Sequence, residues 1–263
     1  MPHSQSDADY QHADLLRMGR ARNYAAWQRK LVTPWLGCRV LEYGCGLGNF
    51  TAALLDRDLV LACDTEPQFV DVMRQRFPDR ANLRLFAGNS ASPEFPALSQ
   101  YDLDSCVCLN VLEHIEDDHQ AIQAISAVLK PPGTIVLLVP AFPALFGPID
   151  RRLQHARRYT RKSLVNLAQC AGLRVRHMRY VNLAGFFGWW INALVLRLEE
   201  QSPSQIEVFD RWIVPVMSRI EGLIPPPFGQ SLLVVLEKSI SQRTPLAARG
   251  SSRAFCNWPH NDI

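Results

Sequence analysis

Short runs that are apolar at nearly every position alternate, in the first half of the chain, with stretches apolar at every third or fourth residue. The first kind is Arg39–Tyr43, Leu59–Cys63, Leu83–Ala87, Ser105–Leu109 and Thr134–Val139. Each is too short for a buried helix and reads as a strand. Between them, Asn49–Leu55 is expected to start a helix. Pro67–Phe77 is a helix opened by Pro67 near its first turn. Asp117–Leu129 is an amphipathic helix stopped by Pro131-Pro132-Gly133. Strands without polar alternation, separated by helices, predict a doubly wound α/β fold whose mostly parallel sheet is covered on both faces.

The pattern differs on either side of this region. Residues 1–10 read as loose, and about 11–35 as helical, with Tyr24, Trp27 and Leu31 on one face. After Pro140 comes a long segment, 141–160, with two prolines and a basic run. A helix over Arg161–Ala171 ends at Gly172, and a sixth strand covers Leu173–Val181. Residues 183–222 look helical, with Ile206, Phe209, Ile213, Met217 and Ile220 on one stripe. A last strand, Leu232–Leu236, follows Pro225–Pro227 and Gly229. The organisation expected is an N-terminal helical lid (1–35), an α/β core (36–182), a helical cap inserted before the last strand (183–224), that strand (225–238), and a disordered tail (239–263).

Composition sharpens this only in places. The 263 residues are 48% apolar, enough for a sizeable core. The net charge of +3 names no partner, but its distribution is uneven. Residues 151–180 hold nine Lys or Arg and no acid, leaving 19 basic and 25 acidic side chains elsewhere. Such a segment is either an anion site or a solvated face. Seven cysteines without a CxxC pair, several inside apolar runs, suggest reduced thiols in a cytoplasmic protein, without zinc or a disulfide framework. The polar N-terminus has no apolar signal core. The most apolar stretch outside the strands, Leu183–Leu196, is shorter than the roughly 20 residues of a membrane span. Peripheral membrane contact is left open, and oligomeric state is not legible.

The chemistry concentrates in Val40-Leu41-Glu42-Tyr43-Gly44-Cys45-Gly46-Leu47-Gly48-Asn49. A Gly-rich turn between a strand and a helix lets backbone approach a ligand, and the helix start offers free N–H groups. Asp64 stands 20 residues after Gly44, at the end of the next strand, where a carboxylate can accept from ribose hydroxyls. The pair indicates a nucleoside cofactor at the switch point of a parallel sheet. The spacing GxGxG differs from the GxGxxG of dinucleotide enzymes, but does not by itself choose the cofactor.

Three blocks resemble class I S-adenosylmethionine-dependent methyltransferases of the bacterial small-molecule type (type 11/12-like). Glu42-x-Gly44-x-Gly46-x-Gly48 resembles their first motif, Cys108-Leu109-Asn110-Val111-Leu112-Glu113-His114-Ile115 their strand-four signature, and Leu129-Lys130-Pro131-Pro132-Gly133-Thr134 the turn before strand five, with Pro132 in place of a glycine. The resemblance implies a Rossmann-like, mostly parallel seven-stranded sheet and S-adenosylmethionine as cofactor. It implies that Gly44, Gly46 and Gly48 line the methionine moiety, that Glu42 orders the loop, and that Asp64, with Tyr43 and Thr65 beside it, serves the ribose. Asn89 and Ser90 stand where an acidic residue usually meets the adenine amine. Asn110 and Val111 would close over the cofactor, and Tyr24 is a candidate lid contact. A general base, where one is used, is sought in His155, His114 or Tyr159. Arg157 and Arg158 are candidates to hold an anionic acceptor, and Trp189, Trp190, Phe186 and Phe187 to wall an apolar pocket. The expected function is methyl transfer to a small-molecule or lipid-like, anionic acceptor. Alternatives are an RNA methyltransferase, for which one basic stretch is a thin nucleic-acid footprint, an NAD-dependent oxidoreductase, and a non-catalytic cofactor-binding protein.

Overall fold

A computed structural model of the chain describes residues 7–198, 200 and 202–239; the predicted tail lies almost wholly outside them. Seven strands form one sheet: β1 (Arg39–Tyr43), β2 (Leu59–Asp64), β3 (Leu83–Ala87), β4 (Leu103–Leu109), β5 (Leu129–Pro140), β6 (Arg174–Val181) and β7 (Ser231–Lys238). Their order is β3-β2-β1-β4-β5-β7-β6. The first five pair in parallel, and β7 runs antiparallel to both β5 and β6. Strand alternation sends neighbouring side chains to opposite faces. Leu41, Leu61, Cys106 and Leu137 therefore build one core layer, and Val40, Val60, Val107 and Val136 the other.

The described helices are α1 (Asp7–Met18), α2 (Arg22–Val32), α3 (Pro67–Arg76), α4 (Asp118–Val128), α5 (Pro148–Arg152), α6 (Arg161–Cys170), α7 (Leu183–Trp190), α8 (Pro203–Val208) and α9 (Val214–Leu223). Several expectations need correcting. Helical structure begins within the segment read as loose, at Asp7, and the expected single helix over 11–35 breaks at 19–21. Gly19 is a poor interior helix residue, and the break frees the first N–H groups of α2 for a distant carboxylate described below. No α-helix follows β1. Residues 49–55 make turns and one 3-10 turn, Thr51–Ala53. Pro131-Pro132-Gly133 is not a turn before β5 but part of its extended start.

The stripe Ile206–Ile220 faces inward only in part: Phe209 packs against the core, and Ile206 and Met217 are half-buried. Ile213 and Ile220 are exposed, while Asp210, Val214 and Glu221 point inward. Five-residue-turn helix over Phe209–Ile213 continues α8 and changes its phase before α9. The inward acids cap other helices. Asp210 Oδ1 accepts from the Tyr24 N–H at 2.8 Å and its Oδ2 from the Asn23 N–H at 3.3 Å. Glu221 accepts from the N–H groups of Asn182 (3.0 Å) and Leu183 (2.8 Å) at the start of α7. Two buried carboxylates thus meet the positive ends of two helices, one joining lid to cap and one joining the two ends of the cap.

No helix among the described residues is long and apolar enough to cross a membrane. The six described cysteines are free thiols.

Candidate functional site

At the carboxyl ends of β1, β2 and β4 the chain encloses a cavity of about 1230 Å3. Its floor is the turn after β1. Gly44 and Cys45 both donate their N–H to the Cys63 carbonyl at 2.9 Å, and Gly46 N–H donates to Asp64 Oδ2 at 2.7 Å. The turn is wound into the left-handed region at Gly44 (φ 82°), Gly46 (φ 49°) and Gly48 (φ 78°), where a side chain is strained. Gly46 faces the cavity, and a Cβ there would meet only Leu15 at 3.3 Å. Gly48 does not line the cavity: its Cβ would fall 2.3 Å from Met73 Sδ. This glycine serves close packing of the turn on α3 rather than ligand contact.

Two carboxylates flank the turn. Glu42 is buried and accepts from Thr51 Oγ1 at 2.6 Å, which ties β1 to the chain beyond the turn. Burial pushes its carboxyl up to about 8. Asp64 is raised by burial, against which the N–H groups of Glu66, Gly46 and Thr65 act. Thr65, Asn89, Ser90, Asn110 and Val111 line the same wall, and the Tyr43 hydroxyl holds Ser90 by two hydrogen bonds of 3.0 and 3.1 Å. Above stand Asp14, Leu15 and Met18 of α1 and Tyr24 of α2. Burial raises the Tyr24 phenol to about 12, so it is a neutral donor there.

The opposite end is polar. Glu113, His114, His155 and Arg158 line it, with Trp189 from α7. The segment after β5 is tied to the one after β4 by the Ala156 N–H, which donates to the Glu113 carbonyl at 2.7 Å. The rings of His114 and His155 meet edge to face, centroids 4.7 Å apart. Burial, then the neighbouring His155, lowers His114 to about 4, so it is neutral near pH 7. His155 Nδ1 hydrogen-bonds Asp150 Oδ1 at 2.9 Å. Burial alone would raise Asp150, but His155 and Arg158 overcome it and hold its carboxyl low. Glu113 is 1% exposed and its Oε2 has no hydrogen-bond partner; burial pushes it up to about 8.

Five further expected site residues, Arg157, Tyr159, Phe186, Phe187 and Trp190, do not line the cavity. Tyr159 is buried against the start of α4, its hydroxyl donating to Asp118 Oδ2 at 2.8 Å, and burial raises it further from ionisation. Arg157 pairs with Asp118 at 3.0 Å outside the cavity lining. Trp190 is 46% exposed and, like Phe186 and Phe187, does not line the cavity. Arg158 does line it, but Asp150 takes its Nε at 2.8 Å, the Ala141 carbonyl its Nη1 at 3.1 Å, and Trp189 covers its face. The acid-free segment 151–180 thus spends Arg157, Arg158, Arg174 and Arg176 on carboxylates from other parts of the chain.

Residues 41–135 match a family model described as a methyltransferase domain. The chain has the class I S-adenosylmethionine-dependent methyltransferase fold. Magnesium-protoporphyrin O-methyltransferase of Rhodobacter capsulatus is 36% identical over 90 residues, 33% of this chain and 39% of that protein. Ubiquinone biosynthesis O-methyltransferase of Xanthomonas campestris is 31% identical over 105 residues, 38% of this chain and 42% of that one. The chain thus matches about two fifths of the length of these curated relatives. An S-adenosylmethionine-dependent methyltransferase from Archaeoglobus fulgidus superposes with a TM-score of 0.53 at 16% identity, covering 83% of this chain and 94% of that one.

The cavity at the strand ends offers backbone donors and side-chain acceptors of the kind a nucleoside cofactor takes. The turn at Gly44–Gly46, the Asp64 carboxylate and the polar pair Asn89 and Ser90 line it together. Sequence reasoning gave no role to Asp14, Glu113, Asp150 or Asp210. Glu113 stood inside a quoted motif, and its burial was the missing signal. Asp14 and Asp210 come to the cavity from α1 and the end of α8, far from the strand ends in sequence, and Asp150 of α5 stands behind His155 without lining it.

Proposed function

We propose that this chain transfers the methyl group of S-adenosylmethionine to a hydroxyl oxygen of a small or lipid-like, largely apolar acceptor. The observation that carries this reading is one cavity joining the glycine turn and Asp64 to the Glu113, His114 and His155 cluster. The cofactor supplies a methyl on a sulfonium, itself a good leaving group. The chain's work is then placement and exclusion of water. Asp64, Asn89 and the glycine turn fix one end; α1, α2 and the cap cover the space; Leu153, Trp189, Ile191, Leu196 and Ile206 offer apolar wall. The polar cluster receives the acceptor hydroxyl and its proton. O-methylation is favoured by the relatives, whose names describe O-methyltransferases. An anionic acceptor finds no free arginine at 157 or 158.

Labelled S-adenosylmethionine offered with panels of phenols, hydroxylated lipids, carboxylates, amines and RNA tests the reading. Labelling confined to hydroxyl compounds is expected, with Glu113→Gln lowering turnover about 10²-fold and leaving S-adenosylhomocysteine affinity unchanged. Labelling of amines or RNA alone, or no S-adenosylhomocysteine binding at all, overturns it.

A further inference from the structure

The polar end of the cavity gathers the side chains of Glu113, His114 and His155, and their mutual placement suggests more than a lone base. One ligand-capable atom from each of Glu113, His114 and His155 lies within 4.8 Å of the other two. Around a transition-metal ion, ligand atoms bound at roughly 2.1 Å stand about 3.4 Å apart in tetrahedral geometry. Small side-chain rotations would close the difference. The three residues come from two segments that the sequence separates by some forty positions, held together by the Ala156 N–H to Glu113 carbonyl bond of 2.7 Å.

Two independent features point to a ligand. Glu113 Oε2 is buried without a partner, in a residue 1% exposed that lines the cavity. Burying a carboxyl oxygen unpaired is costly unless something binds it. The histidines are also prepared from behind. His155 commits Nδ1 to Asp150 at 2.9 Å, leaving Nε2 as its available lone pair. His114 is hydrogen-bonded to the backbone of Leu153 and Gln154. A carboxylate or carbonyl behind an imidazole is the arrangement that orients metal-binding histidines and fixes their tautomer. Asp150 is fixed in turn by Arg158 at 2.8 Å and by the Gly147 N–H at 2.9 Å.

We propose that Glu113, His114 and His155 bind a divalent first-row transition ion, such as zinc or iron. Imidazole ligands favour these over calcium or magnesium, which prefer oxygen. Three protein ligands leave coordination positions open toward the cavity, where acceptor oxygens would bind. Coordination would orient the hydroxyl and lower its pKa, its proton passing to solvent as the acceptor binds, so that the three side chains act through the ion rather than as proton acceptors themselves. This last role rests on the proposed methyl transfer; the metal site does not.

The test uses the full chain without a histidine tag, stripped by chelator and dialysed. Cobalt(II) is titrated as a spectroscopic probe, and zinc, iron(II) and magnesium by calorimetry, each with and without S-adenosylhomocysteine. One ion per chain, a visible cobalt band of histidine-ligated type, and weak magnesium binding are expected. Glu113→Gln and His155→Ala should each weaken binding at least tenfold, and Asp150→Asn about ten- to a hundredfold, with S-adenosylhomocysteine affinity retained as the check of folding. Absence of saturable cobalt and zinc binding by the folded wild-type chain overturns the site, whatever the variants do. Unchanged binding by folded Glu113→Gln and His155→Ala proteins overturns it equally. Metal binding without S-adenosylhomocysteine binding would remove the methyl-transfer reading and leave the metal site standing.

Discussion

Asp64 and Gly48 belong to the same turn system but act on different quantities. The Asp64 carboxylate faces the cavity, whereas Gly48 packs against α3. Asp64→Ala is expected to weaken S-adenosylhomocysteine binding about tenfold or more, from the roughly 1.5–3 kcal/mol of a charge-assisted hydrogen bond. Gly48→Ala is expected to lower stability by about 1–3 kcal/mol through strain at positive φ and crowding of Met73 and Phe77, with affinity nearly kept. Calorimetry and denaturant unfolding separate the two. Glu42 gives a pH signature. Its carboxyl is raised to about 8 by burial, so between about pH 4.5 and 8 the folded chain binds more protons than the unfolded one. Its contribution therefore makes stability fall as pH rises through this window. Glu42→Gln should flatten that part of the stability profile; an unchanged slope would show that Glu42 ionises normally. The glycines, Glu42 and Asp64 were legible because their spacing is local. Gly44, Gly46 and Gly48 could not be told apart, since the sequence gives no neighbour for the missing side chain.

At the scale of elements, the joint between lid and cap is the feature to test. The α2 N-terminus has no capping side chain of its own; the Asp210 carboxylate supplies one from 186 positions along the chain. Asp210→Ala is expected to cost about 1.5–3 kcal/mol and to speed amide exchange selectively in α1, α2 and α8. Uniform acceleration across the sheet would instead mean that the joint is part of the global fold. The strands were legible because continuous apolar runs have one comfortable place, the middle of a covered sheet. The cap was legible as helical but not in its facing. A hydrophobic stripe normally marks the buried side, but here α8 to α9 turn inward the two acids that cap neighbouring helices and leave Trp212 65% and Leu223 85% exposed.

For the whole molecule, residues of α1, α2 and 205–210 line the same cavity as the glycine turn, so on the proposed function ligand binding and closure of these helices should be one event. S-adenosylhomocysteine at a hundred times its Kd is expected to add about 2.7 kcal/mol of stability, a Tm rise of ~5–10 °C for a chain of this size. Amide protection should rise together in α1 and in 203–213. Protection limited to the β1 and β2 turns would mean that the lid takes no part in binding.

The sequence alone determined the alternation of buried strands and helices, the glycine turn and its paired carboxylate, and the order of elements that makes a class I methyltransferase fold. These depend on residues close in the chain, or on apolar content that no other arrangement would bury. It also supplied the residues of the polar end of the cavity without their relations. Arg157 and Arg158 read as free cations, and only folding brought Asp118 and Asp150 against them. Tyr159 read as a base, and only packing put its hydroxyl on Asp118 at the start of α4, off the cavity. Glu113, His114 and His155 carry no metal-binding spacing, since two of them follow β4 and the third lies beyond β5; parallel pairing of those strands set their ends side by side. Charge and hydrogen-bond partners are fixed by distances in space, and for contacts forty or more residues apart those distances exist only once the sheet has formed.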